Sequence, residues 1–201
     1  MPNPRKLLLI SCMISVILVS NILVQYPVMI WGLENLLTWA AFTYPVAFFI
    51  TDITNRIYGV MTARKIVFWG FFTAVILSFY FATPRIAIAS GSAFLISQLI
   101  DIQIFTKLRK YQWWTAPLAS STLGSIIDTL LFFTIAFSLT FSFMGYEDSF
   151  AMENIILSGS LEVPRWLMWA FGDFAVKLLV AFLLLLPFRL IYFTYQNKSK
   201  A

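Results

Sequence analysis

The sequence predicts an all-α polytopic membrane protein built from six transmembrane helices. Three observations carry this. The 201 residues are 60% hydrophobic and 11% charged, whereas a soluble domain is about a quarter charged. Mostly apolar stretches of about 18 residues or more, each able to cross a roughly 30 Å hydrocarbon layer, recur along the chain. Basic residues gather at the ends of these stretches.

The first stretch, 7–24, follows Arg5 and Lys6. Together with LISC at 9–12 it resembles a signal peptide with a lipoprotein cleavage box. However, the apolar run before Cys12 is short and continues past it, so an uncleaved helix is expected. The second, 36–55, contains Pro45, and the third, 66–83, ends at Pro84, which makes a tight connection to the fourth, 86–106. The fifth, 114–140, has Pro117 near its start; the sixth, 165–193, has Pro164 just before it and Pro187 inside it. Pro27 lies in the first outer loop. Proline costs little where a helix begins, but Pro45 and Pro187 each free a carbonyl one turn back, so a kink or an opened backbone is expected there. Unpaired backbone groups are intolerable in lipid, and these runs are too long and uniformly apolar for barrel strands, so they read as helices. No soluble domain fits between them, and residues 1–201 read as one six-helix transporter domain. The two halves show no convincing repeat, so an inverted-repeat architecture is not implied.

Orientation follows from Lys and Arg. Arg5, Lys6, Arg56, Arg64, Lys65, Lys107, Arg109, Lys110, Arg189, Lys198 and Lys200 fall on one side, and only Arg85 and Arg165 on the other. By the positive-inside rule both termini are cytoplasmic and the protein is a multi-pass resident of the inner membrane. The acids Glu34, Glu147, Asp148, Glu153 and Glu162 fall in the outer loops. Trp31, Trp113, Trp114, Trp166 and Trp169 sit near the interfaces, where they read as belt anchors.

Composition also excludes classes of function. With no His and one Cys, the chain lacks the usual general base, an internal disulfide, a thiolate metal cluster and a Cys-His pair. No paired-acid protease signature or Ser-His arrangement is present, so the protein reads as no enzyme, with no cofactor and no metal site. A net charge of +5 follows from topology, since no basic face with stacking aromatics points to nucleic acid.

What remains is a small set of polar residues at bilayer depth, where each ionisable group costs at least about 2.5 kcal/mol and so has a partner or a task. Asp128 lies mid-helix in PLASSTLGSIIDT, and stepping back from it by 4, 7, 8 and 11 gives Gly124, Ser121, Ser120 and Pro117, one small polar stripe around a carboxylate. A packing seam explains the small residues and leaves the acid unexplained. Asp173 and Lys177 are spaced to pair on one helical face, either as a structural lock or as ligand contacts. The fourth segment carries Arg85, Ser90, Ser97, Gln98 and Asp101, with Gln98 and Asp101 on one face. Asp101 could pair with Lys107 at the interface or serve a site. Arg85 stands on the side poor in basic residues and calls for an acidic neighbour or an anionic ligand. Asp52 and Arg56 are again spaced to pair, fixing the end of the second helix. Asn21 and Gln25 could bind a ligand or cap interface backbone. Buried acids, two bases, hydroxyls and amides among aromatic rings make up the inventory of a ligand cavity, and a carboxylate can accept two parallel bonds from a guanine-like amide edge.

At these residues the sequence resembles the queuosine precursor transporter family, also described as vitamin uptake transporter-like. The matching stretches are SNILVQYPV (20–28), FTYPVAFFITDITNRIYG (42–59), RIAIAS (85–90), QLIDI (98–102), WWTAPLASSTLGSIIDT (113–129) and DFAVK (173–177). The resemblance implies an importer of 7-cyano-7-deazaguanine or 7-aminomethyl-7-deazaguanine, precursors of a modified tRNA base. It also implies a fold distantly similar to the substrate-binding subunits of energy-coupling factor transporters. Carried over by motif, Asp52, Arg56, Arg85, Ser90, Asp101, Asp128, Asp173 and Lys177 form the functional set, with Asn21 and Gln98 added from the reading of the residues. Two departures from the family pattern are a short third-to-fourth connection and Ser125, where the pattern has an amide. The expected partners are the deazaguanine and the lipid bilayer. A homo-oligomer is compatible, and an energising partner is not implied. The alternative function is a binding subunit for another purine-like or vitamin ligand that depends on a separate energising partner.

Overall fold

The computed structural model describes residues 4–24, 26, 28–30, 33, 36–145, 149–158 and 161–200. Gln25, Pro27, Trp31, Glu34, Glu147 and Asp148, together with the side chains of Lys198 and Lys200, lie outside the described residues.

The chain is all-α in its membrane part. Five helices are long and apolar enough to cross a membrane: α1 (Pro4–Leu23), α3 (Val60–Phe81), α4 (Pro84–Leu108), α5 (Thr115–Phe137) and α7 (Arg165–Lys200). The sixth long helix, α2 (Ala40–Tyr58), is set apart by its polar second half, TDITNR at 51–56. Eleven of its 19 residues are buried, because it packs against α1, α3, α4, α5 and α7 at once. Protein rather than lipid therefore surrounds the polar groups that lower its hydropathy.

Local chemistry sets the connections. α2 passes into α3 through Gly59 alone, whose φ of 81° lies in the region that favours glycine. α3 passes into α4 through Ala82 and Thr83. The Thr83 side chain accepts from the Ile86 amide, and Pro84 takes the first helical position, as the sequence predicts. The fifth segment stops earlier than expected, at Phe137, because Ser138 adopts extended backbone and caps a short 3₁₀ turn, Leu139–Met144. Beyond it come a one-turn helix α6 (Ser149–Met152) and an antiparallel hairpin, β1 (Asn154–Ser158) with β2 (Leu161–Pro164). No apolar periodicity in the sequence signalled these elements. Helix α7 begins at once after Pro164. Both α2 and α7 continue as helices through Pro45 and Pro187, so neither proline opens the backbone.

Apolar clusters between different sets of helices hold the bundle. One gathers Met13, Ile17, Ala63, Ile66, Val67 and Phe94 between α1, α3 and α4. Another gathers Ile53, Phe105, Ala116 and Phe188 between α2, α4, α5 and α7. The most extensive pairing is α4 with α5.

Candidate substrate-binding site

Between these helices lies a cavity of about 380 Å³, within the range of small-molecule sites. Its walls come from the ends of α1, α3 and α5 and the beginnings of α2, α4 and α7, so it occupies one half of the bundle. Phe132, Phe133, Phe137, Phe150 and Trp169 form an aromatic wall, with Tyr44 also lining the cavity. Trp169 meets Phe137 edge-on at 5.6 Å between ring centroids and Phe150 at 6.1 Å, offsets typical of packed rings.

Three charged side chains face this space. Lys177 donates to Asp128 Oδ2 at 2.7 Å and also pairs with Asp173. Thr129 completes the arrangement: its hydroxyl donates to Asp173 Oδ2 at 2.9 Å and accepts from Lys177 at 3.3 Å. Ser97 donates to Asp128 Oδ1 at 3.3 Å. Lys177 is buried, while the Asp128 and Asp173 side chains keep 14% and 17% of their surface. The two acids thus remain open to a ligand in the cavity while one ammonium holds them in place. With two acids and one base, the cluster carries a formal charge of −1. Asn21, Ser78 and Ser90 add further polar groups to the lining. The Asn21 amide donates to Ile17 O at 2.9 Å, which leaves its carbonyl toward Ser78 at 3.5 Å.

Of the residues singled out in the sequence, Asn21, Ser90, Asp128, Asp173 and Lys177 line this cavity. The other five do not. Arg85 is buried but meets neither acid nor cavity. Its guanidinium donates to Ile135 O at 2.9 Å and Ser138 O at 2.5 Å, the last carbonyls of α5. A helix C-terminus, with its unpaired carbonyls and negative dipole end, supplies the partner that an acid or anionic ligand was expected to provide. Arg56 likewise does not pair with Asp52. It donates to Arg109 O at 2.5 Å, past the end of α4, and its guanidinium lies 4.5 Å from the Tyr192 ring centroid. Nor does Asp101 reach Lys107, which is exposed while Asp101 is wholly buried. Asp101, Asp52 and Gln98 instead form a second polar layer, deeper than the cavity. There Thr51 donates to Gln98 at 2.6 Å, and Ser120 and Ser121 donate to the two oxygens of Asp52.

The sequence reading missed Tyr44 and the aromatic wall, and it took Trp169 for an interfacial anchor. Spacing held the missing signal. Trp169, Asp173 and Lys177 repeat every four residues on α7, Asp128 and Phe132 do so on α5, and Tyr44 stands two turns before Asp52 on α2.

A multi-helix membrane bundle that encloses an aromatic cavity around a small charged cluster defines a membrane transport protein. The chain belongs to the family described as "Putative vitamin uptake transporter", whose pattern matches residues 38–83 and 79–192, and this is a family of transporters rather than enzymes. Relatives include the queuosine precursor transporter of Escherichia coli, 34% identical over 193 residues and covering 86% of this chain and 79% of that protein. The probable queuosine precursor transporter of Haemophilus influenzae is 34% identical over 171 residues, covering 75% of this chain and 66% of that protein. That of Bacillus subtilis is 27% identical over 146 residues, covering 59% and 63%. No solved structure matches the chain.

Proposed function

We propose that this protein imports queuosine precursors, 7-cyano-7-deazaguanine, 7-aminomethyl-7-deazaguanine or both, across the inner membrane. The observation that carries the reading is the cavity in which Asp128 and Asp173, held by one lysine, face a wall of aromatic rings. A guanine-like edge presents two parallel N–H donors, which a carboxylate accepts in a bidentate pair, and the flat ring stacks on Phe or Trp faces. In this reading Asp128 is the principal acceptor, Asp173 and Lys177 are its orienting partners, and Ser90 and Asn21 are further polar contacts. The names of the relatives support the same substrate class.

Six spans with both termini cytoplasmic, in one domain distantly similar to energy-coupling factor binding subunits, complete the proposal. The basic ends of α2, α3 and α4 carry Arg56, Arg64, Lys65, Lys107 and Arg109 opposite the cavity, so the positive-inside rule opens the cavity to the outer side, where an importer first meets its solute.

The test is expression in a bacterium able neither to make queuosine nor to import its precursors, with each deazaguanine supplied at low concentration and the modified base measured in tRNA. Restoration by the wild-type chain and its loss in Asp128→Asn, at equal membrane abundance, is the expected result. No restoration by verified, folded protein would overturn the reading.

A further inference from the structure

We propose that Asp52 and Asp101 share a single proton and that this proton is the coupling ion for transport, an inference that rests on the carrier reading above. Asp52 on α2 and Asp101 on α4 are 1% and 0% exposed, and their helices are joined on either side of the two acids, where Thr51 donates to Gln98 and Asn55 to Ile102 O. Ser120 and Ser121 donate to separate oxygens of Asp52, at 3.2 and 3.3 Å. Neither oxygen of Asp101 accepts a hydrogen bond from any described group. One proton shared between the two carboxyls supplies the hydrogen bond that the Asp101 oxygens otherwise lack.

Among the described residues, the surrounding groups leave no other countercharge. On α2, Arg56 is turned to Arg109 O and the Tyr192 ring of α7. Asp128 on α5 and Asp173 and Lys177 on α7 are committed to one another. Arg64 and Lys65 on α3 and Lys107 on α4 are exposed, and Lys6 of α1 lies over the Tyr58 ring. Two ionised carboxylates side by side would be intolerable in this setting, and one proton removes the conflict.

The same helices serve both layers. Tyr44, Phe48 and Asp52 repeat every four residues on α2, and Asp128, Gly124 and Ser120 do so on α5. Phe48 packs on Gly124 between the cavity and the acid pair. On α4, Ser97 donates to Asp128 and the adjacent Gln98 accepts from Thr51. A ligand that draws Asp128 or Tyr44 inward therefore displaces the helices that hold the pair. The step is a proton transfer only: the pair takes up one proton from the side facing the cavity and gives one up to the cytoplasm, and no other bond changes.

The experiment uses full-length protein in liposomes with labelled 7-cyano-7-deazaguanine. An inward proton gradient is expected to accelerate wild-type uptake at least tenfold, and a sodium gradient to have no effect. Asp101→Asn should lose this acceleration while still exchanging internal for external solute, and Asp101→Glu should regain part of it. In the infrared, the wild type at neutral pH should show a protonated carboxylic acid band that is absent in Asp101→Asn and present in Asp128→Asn. Acceleration retained in Asp101→Asn, drive by sodium alone, or no such band in the wild type would each overturn the proposal. If wild-type protein takes up no deazaguanine in any gradient, the carrier reading and the coupling role fall together, while the band still decides whether the acids share a proton.

Discussion

Lys177 Nζ donates to Asp128 Oδ2 at 2.7 Å across 49 residues of sequence, and the same ammonium pairs with Asp173 one turn away. One cation thus answers two acids, so the three residues should not behave alike on substitution. Lys177→Met leaves two neighbouring carboxylates without a countercharge, a loss of about 3–5 kcal/mol on the scale of broken buried pairs. We expect the melting temperature in detergent to fall further for Lys177→Met than for Asp128→Asn. The triple change with Asp128→Asn and Asp173→Asn should recover most of the loss without recovering uptake. A triple variant as unstable as Lys177→Met would refute the electrostatic account.

Trp169 stands against Phe137 and Phe150 in the cavity wall. Stacking of a base on an aromatic ring contributes about 1–3 kcal/mol, so Trp169→Ala should raise the Kd for a deazaguanine by roughly fivefold to 150-fold. Trp169→Phe should keep most of the affinity. Trp113, which lies beneath Arg189 away from the cavity, is the control: Trp113→Ala should leave Kd unchanged in a titration of purified protein. Equal losses at both positions would remove Trp169 from the site.

Much of the architecture was legible in the sequence because lipid imposes simple rules. Long apolar runs become helices, Pro84 marks a helix start, and Asp173 with Lys177 at four-residue spacing do pair. The small polar stripe on α5 is also real, but it serves two neighbours: Ser120 and Ser121 face Asp52, whereas Asp128 faces Lys177. Spacing along one helix cannot reveal which neighbouring helix lies opposite. For that reason Asp52 and Arg56, equally well spaced, do not pair, since Arg56 finds the end of α4 and Asp52 the serines of α5. Aromatic residues escaped notice for another reason. Phe and Trp are expected everywhere in a membrane protein, so only packing separates a cavity wall from a lipid-facing surface.

Arg85 holds the end of α5 through Ile135 O and Ser138 O and touches no ligand-facing group. Its removal should therefore act on stability. Two charge-assisted bonds to a helix terminus and a buried position, with 2% of the residue exposed, imply a loss of about 2 kcal/mol or more for Arg85→Ala. Thermal melting should register this loss, while Kd measured well below the transition stays within about threefold of the wild type, less than 1 kcal/mol. A large change in affinity with unchanged melting would return Arg85 to the ligand site.

Gly124 marks the closest approach between α5 and the Phe48 ring. A Cβ added there would lie 2.6 Å from Phe48 Cε1 and 3.3 Å from Cδ1, distances at which the ring must move. Phe48 is 4% exposed, and the space around it is shared with the polar pairs on either side, so the ring has no easy retreat. Overpacking of this kind costs about 1–3 kcal/mol, and Gly124→Ala should lower the melting temperature accordingly. Phe48→Leu, which shortens the clashing side chain, should be destabilising alone and yet compensate in the double variant, giving a coupling of about 0.5 kcal/mol or more in a double-mutant cycle. Additive losses would mean that Gly124 is needed for its backbone rather than for the room it leaves to Phe48.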